Sequence, residues 1–361
     1  MGEKNVLVTG GAGFIGCNLI RHLLQRGGSR ILNLDKLVFA GAANTLTQFR
    51  NDSAYTFEQV DLCDSERLAN TFQEFKPDAV MHLAAETHVD RSIDTPAPFI
   101  QSNIVGTFNL LEAARAYWQG LEPASKAEFR FLHVSTDEVM GSLTPSDAPF
   151  TESSPYRPNS PYSASKAAAD HLVRAWHQTF SLPVLITNCS NNYGPYQFPE
   201  KLIPLMVLKA IKGSELPVYG DGSNVRDWLF VTDHVEALCR ILDAGVVGES
   251  YNIGGSSEVS NIEVVETICK LLDEIHPRTN GQSYLEQIRF VKDRPGHDFR
   301  YAMDTRKIKT SLGWKERETF ESGLRTTVVW YLENQVWIND VTGGTDAGKR
   351  LGLVDNGTDV D

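Results

Sequence analysis

Ser135-Thr136-Asp137-Glu138-Val139, followed a helix-length later by Tyr162-Ser163-Ala164-Ser165-Lys166, gathers the side chains in this sequence best suited to chemistry. A tyrosine and a lysine four residues apart fall on one face of a helix. There the ammonium stabilises a phenolate and turns tyrosine into a base usable near neutral pH. Oxidation of an alcohol uses such a base, helped by a hydroxyl donor such as Thr136, but it has no task for an adjacent pair of acids. Asp137 and Glu138 suit a second event, one proton taken from carbon and one delivered to a leaving hydroxyl, as elimination of water requires. Each residue has a plainer alternative: an Asp-Glu pair after a strand often serves as a solvated turn or a cap. Tyr-x-x-x-Lys also recurs on helices by chance, and Ser163 and Ser165 could merely cap. The weight comes from the combination with the glycine-rich segment upstream.

That segment, Thr9-Gly10-Gly11-Ala12-Gly13-Phe14-Ile15-Gly16, follows the apolar run Val6-Leu7-Val8 and opens a helical pattern, the context of a dinucleotide site. Gly10 and Gly13 permit a tight turn and close backbone approach to a pyrophosphate, and Gly16 lets helix pack on strand. The helix beginning at Phe14 and Ile15 turns its amino terminus toward the phosphates. Asp35 ends the next strand about twenty residues on, where a carboxylate accepts from an adenosine ribose and repels a 2′-phosphate. NAD is therefore expected over NADP, with Lys36 as the neighbour that could tolerate phosphate. Asp61-Leu62 and Leu83-Ala84-Ala85 end two further strands, positions suited to adenine and nicotinamide-ribose contacts, or to strand-end packing.

The elements that must hold these residues are legible as an alternation. Short β-rich runs (Val6–Val8, Ile31–Leu34, Thr56–Val60, Ala79–Leu83, Phe131–Val134, Val184–Thr187) alternate with helical patterns over Ile15–Gln25, Ser65–Phe75, Pro98–Trp118 and Pro161–Thr179. This predicts an α/β fold, a doubly wound parallel Rossmann-type sheet. Ser160 is the expected N-cap of the last helix, with Pro161 at its first position. From about Asn191, turn signals such as Tyr219-Gly220-Asp221-Gly222 and Asn252-Ile253-Gly254-Gly255 predict a smaller lobe capping the sheet's carboxyl edge. The expected division is 1–190 for the dinucleotide domain, with some later segments returning to it, 191–340 for a substrate lobe, and 341–361 for a flexible polar tail.

Composition narrows the partners. At 361 residues, 41% hydrophobic, the chain can bury a full core, and a net charge of −12 disfavours broad binding to nucleic acid or anionic membrane. The five cysteines are scattered and never in Cys-x-x-Cys spacing, as expected of reduced thiols in the cytoplasm. The first strand starts so early that no signal peptide is expected, nor is a membrane span or a metal site.

Through Gly10-x-x-Gly13-x-x-Gly16 and Tyr162-x-x-x-Lys166 the chain resembles, over nearly its whole length, the extended short-chain dehydrogenase/reductase family of nucleotide-sugar enzymes. Four further segments are similar to its 4,6-dehydratase branch: Ser135–Val139, His88-Val89-Asp90-Arg91-Ser92, Asn188–Pro195 and Asp293-Arg294-Pro295-Gly296-His297-Asp298. The resemblance implies bound NAD, dTDP-glucose as the substrate and a homodimer, with Thr136, Asp137, Glu138, Tyr162 and Lys166 catalytic. It adds Ser102 and Asn192 to the cofactor contacts. At the substrate it implies Thr87, Thr136, Asn191, Lys201, Leu202, Pro217, Tyr219, Arg226, Asn261, Arg294 and His297. Met140 departs from the tyrosine usual in this family, which would keep apolar packing and lose a phenolic hydrogen bond. An epimerase or decarboxylase of the same family would share NAD and the Tyr/Lys pair. A catalytically silent NAD-binding scaffold would keep only the glycine turn.

Overall fold

Seven parallel strands form the main sheet in the order β10-β6-β5-β4-β1-β2-β3. In chain order the strands are β1 Lys4–Thr9, β2 Ser29–Asp35, β3 Tyr55–Gln59, β4 Ala79–His82, β5 Arg130–Thr136, β6 Val184–Cys189, β7 Asn191–Tyr193, β8 Leu216–Tyr219, β9 Val225–Phe230, β10 Ser250–Ile253, β11 Glu258–Ser260 and β12 Ile288–Val291. The computed structural model describes residues 3–38, 44–293 and 296–343. Strand order reverses between β1 and β4, and in doubly wound sheets ligands bind in the crevice at that switch, beyond the strands' carboxyl ends. The glycine turn after β1, Leu83–Ala85 after β4 and Thr136 at the end of β5 all lie on that edge.

The six predicted strands of the first half all form: five are apolar runs with buried cores, while the edge strand β3 buries Tyr55 and leaves Thr56, Phe57 and Gln59 exposed. The seventh was hidden. Ser250–Ile253 carries only four residues before a Gly-Gly turn and reads as loop punctuation, yet it pairs parallel with β6. Its polar Asn252 is buried, with its side-chain amide donating to Phe150 O at 2.9 Å.

The helix Pro161–Phe180 begins as its sequence predicts: Ser160 and Ser163 form a reciprocal capping box behind Pro161. Ser163 is thereby a structural residue. The predicted helix 98–118 is instead interrupted, with a π-helical stretch Ile100–Val105 between Ala97–Phe99 and Gly106–Gln119. Such a widened turn swings side chains out of ordinary helical register and is frequent at functional sites. Here it carries Ser102 and Asn103. Asn103 is buried; its amide donates to Glu86 O and Ser165 Oγ and its carbonyl accepts from Glu86 N, tying the loop after β4 to the Tyr162 helix.

Two small sheets, β11-β9-β7 and β12-β8, belong to the later part of the chain. A second apolar core there gathers Tyr193, Val207, Trp228, Ile268 and Leu324. Bridges from Arg300 to Leu143 and Val225 lay the segment 298–303 between the turn after Met140 and β9. Met140 is buried with Val139, Phe150, Ala167, Tyr301 and Met303, an apolar role that its flexible thioether fills. The helix Gln335–Thr342 buries Ile338 and Val341, while 344–361 lie outside the described residues. Among the described residues no helix is long and apolar enough to cross a membrane.

Candidate active site

The glycine turn is built for close approach. Gly10 has φ +74°, and a Cβ there would stand 2.6 Å from Ala84 Cα and N; one on Gly16 would stand 2.2 Å from Gly10 O. Only glycine lets the first turn, the following helix and the end of β4 converge so tightly. The helix Phe14–Arg26 starts at Gly13 without a side-chain cap, so its first N–H groups are available to phosphate oxygens. Asp35 Oδ2 accepts from Ala12 N at 3.0 Å and Oδ1 from Leu37 N at 2.8 Å, which fixes the carboxylate with lone pairs to spare. Lys36 pairs with Glu86 at 2.8 Å and donates to Ser102 Oγ at 2.6 Å. Its charge is thus already paired beside Asp35. The residues present therefore fit NAD and disfavour NADP.

Other predicted cofactor positions differ in character. Leu83, Ala84 and Ala85 are half-buried on the crevice wall, and Ala84 N donates to Thr9 Oγ1 at 3.3 Å. Leu62 is buried in the sheet's core, and exposed Asp61 accepts from Cys63 N at 2.9 Å in a turn. Asn192 is held by Ser190 O and His234 Nδ1.

At the end of β5, Thr136 organises both acids. Its hydroxyl donates to Asp137 Oδ1 at 3.2 Å, accepts from Glu138 N at 3.3 Å and thereby N-caps the 3₁₀ turn Asp137–Met140. Asp137 is 2% exposed, and its buried Oδ2 has no hydrogen-bond partner among the described residues. Burial first, then the charges of Glu138 and Asp227, push its pKa well above the ordinary carboxyl value, which favours the neutral, proton-bearing form. Burial likewise pushes Asp227, on β9, up to about 6. Tyr162 is held well above the usual phenol value by burial and by Glu138, against a hydrogen bond from Thr136. Glu138 acts in the same sense on Tyr301, whose phenol bonds to Asp298 Oδ2 at 2.5 Å.

Lys166 is buried one turn along the helix from Tyr162, and its ammonium donates to Val134 O at 2.9 Å.

The substrate side falls into two groups. Lys201 donates to Thr87 O at 3.0 Å, with Leu202 opening the helix Leu202–Ile211 behind it; Arg91 pairs with Glu200 at 2.6 Å and steadies the same junction. Across from it, Arg226 is 5% exposed, donates to Val225 O, Phe299 O and Asp298 O, and lies over the Tyr301 ring at 4.4 Å. Tyr219 and Pro217 lie on β8, and Tyr219 meets the His297 ring edge-on at 6.3 Å, with His297 Nδ1 2.7 Å from Asp293 Oδ1. Asn261 opens the helix Asn261–Ile275, and Asn191 Oδ1 is buried with no partner among the described residues. Arg294 lies outside the described residues. Among those described, no group of His, Cys, Asp or Glu could hold a metal ion.

With this geometry in place, three comparisons bear on it. A family model described as GDP-mannose 4,6 dehydratase matches residues 7–327. A dTDP-glucose 4,6-dehydratase of Neisseria meningitidis serogroup B is 58% identical over 97% of this chain and 99% of its own length. The chain belongs to the nucleotide-sugar 4,6-dehydratase family. Solved structures agree: the Bacillus anthracis dTDP-glucose 4,6-dehydratase in complex with NAD is 43% identical with a TM-score of 0.82, covering 94% of this chain and 99% of that one. DesIV of Streptomyces venezuelae, a dTDP-glucose 4,6-dehydratase solved with NAD and a second ligand, is 42% identical with a TM-score of 0.84, covering 92% and 98%.

Sequence reasoning gave no role to several residues that the fold brings near the acids or the Lys201 junction. Tyr301, Asp298 and Asp227 sit on segments adjoining motifs already noted, but only the meeting of β9 with the 298–303 segment brings them to Glu138 and Asp137. Glu200 had a local signal, an acid beside the chosen Lys201.

Proposed function

We propose that this protein is an NAD-dependent hydro-lyase, a dTDP-glucose 4,6-dehydratase, converting dTDP-α-D-glucose to dTDP-4-dehydro-6-deoxy-α-D-glucose and water. The observation that carries the reading is the buried Asp137, whose surroundings favour its proton-bearing form, beside Glu138 and the Tyr162 phenol. NAD, held by Gly10, Gly13, Gly16 and Asp35, supplies the hydride acceptor at C4 and the hydride returned at C6. Tyr162 Oη takes the proton of the sugar's 4-hydroxyl, its anionic form favoured by the Lys166 charge one turn along the helix, while Thr136 Oγ1 hydrogen-bonds the same oxygen. The resulting 4-ketone acidifies C5–H, and Glu138 removes that proton. Asp137 Oδ2 delivers its own proton to the departing 6-hydroxyl, and Glu138 then returns a proton to C5. Two carboxyls driven to different protonation states by their surroundings divide the work of acid and base.

Asn191, Lys201, Arg226, Asn261 and His297 are the proposed donors to the nucleotide diphosphate, with Pro217 and Tyr219 framing the base. A homodimer joined through the helices Gly106–Gln119 and Pro161–Phe180 is proposed from their mutual packing, Phe108 on Trp176 at 5.8 Å, and from the exposure of Ile100 and Phe108. A reducing cytoplasmic setting suits the five free cysteines.

The test is turnover of dTDP-glucose in deuterated water with the product read by mass and NMR. Loss of one water, one deuteron at C5 and the former C4 hydrogen at C6 is expected. A product that keeps its 6-hydroxyl would overturn the reading and favour an epimerase, for which Asp137 has no task.

A further inference from the structure

The face of the helix that presents Tyr162 and Lys166 continues one turn further to Asp170, which the chemistry above does not use. Asp170 is fully buried. His133 Nε2 stands 3.1 Å from its Oδ1, while Tyr156 Oη at 2.8 Å and Asn188 Nδ2 at 3.3 Å donate to Oδ2. Burial, then the charge of Lys166, lowers His133 to about 4, so this imidazole is neutral and gives its Nε2 proton to the carboxylate. Its Nδ1 has no partner among the described residues, as that tautomer requires. Burial pushes Asp170 upward, but the His133 hydrogen bond and the Lys166 charge outweigh it, and Asp170 is anionic.

Neutral donors satisfy the lone pairs of a buried anion without cancelling its charge. The compensating charge is Lys166, buried on the same face four residues earlier; burial lowers its pKa, and the Asp170 charge opposes that loss. Lys166 is faced by Tyr162 and Asp170 on its own helix, His82 on β4, His133 on β5 and Cys189 on β6. Burial keeps His82 and His133 neutral and pushes the Cys189 thiol up to about 12, so of these groups Asp170 carries the negative charge at neutral pH. Beyond Tyr156, Arg174 lies 5.9 Å from that ring. Asn188 also donates to the Thr136 carbonyl at 3.1 Å, so the residue held by Asp170 anchors the strand end carrying Thr136, Asp137 and Glu138.

We propose that Asp170 is a positioning residue for this reaction: its buried negative charge keeps the Lys166 ammonium charged and docked on Val134, and through Asn188 it fixes the Thr136 end of β5. The inference rests on reading Tyr162 and Lys166 as the base and its supporting cation.

The test uses the full-length, NAD-bound protein labelled with ¹⁵N-lysine, the Lys166 ε-nitrogen being assigned by its loss in Lys166→Met. In the unsubstituted protein Lys166 is expected to remain charged through pH 8, and in Asp170→Asn to lose its proton about one pH unit lower, with the alkaline limb of kcat moving down equally. Asn188→Ala is expected to lower kcat while that limb stays in place. A Lys166 already neutral at pH 7 in the unsubstituted protein overturns the proposal even if Asp170→Asn fails to fold. So does an unshifted titration in Asp170→Asn with kcat falling equally at every pH. Failure of the functional reading would look different: no dehydrated product from the unsubstituted protein, whatever Lys166 does.

Discussion

The ammonium of Lys166 donates to the backbone carbonyl of Val134 at 2.9 Å, joining the helix that carries Tyr162 to the strand that ends in Thr136, Asp137 and Glu138. One side chain thus ties the helix of Tyr162 to the strand that leads into Asp137 and Glu138.

Lys166→Met is therefore expected to act twice. Loss of the charge lowers the rate of C4 oxidation about 10²-fold or more. The orphaned Val134 carbonyl costs about 1–3 kcal/mol of stability. Single-turnover formation of reduced cofactor reads the first effect and a urea transition the second. A variant of unchanged stability would mean that the Val134 contact contributes nothing.

Asp227 predicts a pH-dependent cost of folding. Its carboxyl titrates at about 6 in the fold against 3.8 as the ordinary value, chiefly because of burial. Below the lower value both states hold the proton. As pH rises between the two, the unfolded chain releases it first, so native stability falls by roughly 3 kcal/mol and then stays level. Asp227→Asn is expected to match the unsubstituted protein near pH 4 and to exceed it by up to about 3 kcal/mol at pH 8. Urea midpoints at the two pH values check this; a variant less stable at pH 8 contradicts it.

Cofactor choice should depend on Glu86 as well as Asp35. Asp35→Ser alone removes the repulsion toward a 2′-phosphate but leaves Lys36 paired with Glu86. Asp35→Ser with Glu86→Gln frees that cation, and NADP affinity is expected to rise about tenfold over the single variant. Fluorescence titration with NAD and NADP measures both.

Much of this was legible in the sequence, and for identifiable reasons. Strands such as Val184–Cys189 announce themselves because burial on both faces demands continuous apolar residues. The Ser160 cap and the Gly10 turn are local, and local signals survive in one dimension. The π-helical stretch at Ile100–Val105 was not legible, since its apolar periodicity continues that of its neighbours and only the hydrogen-bond pattern changes. β10 was missed because four residues ending in Gly-Gly look like a turn until β6 lies beside them. Asp227 acquires meaning only from partners dozens of residues away, Ser257 and Asp137, so no spacing rule points to it.

The central claim is that Asp137 is the acid of dehydration and has no part in oxidation. Its most direct test is a single turnover of Asp137→Asn with dTDP-glucose, following reduced cofactor by absorbance and the sugar by mass after rapid quenching. Oxidation at C4 is expected to proceed near the unsubstituted rate while water loss slows about 10²–10⁴-fold, leaving a 4-keto sugar that still bears its 6-hydroxyl. If both steps fail together with fold and cofactor occupancy intact, or if water is lost at the original rate, the assignment is wrong.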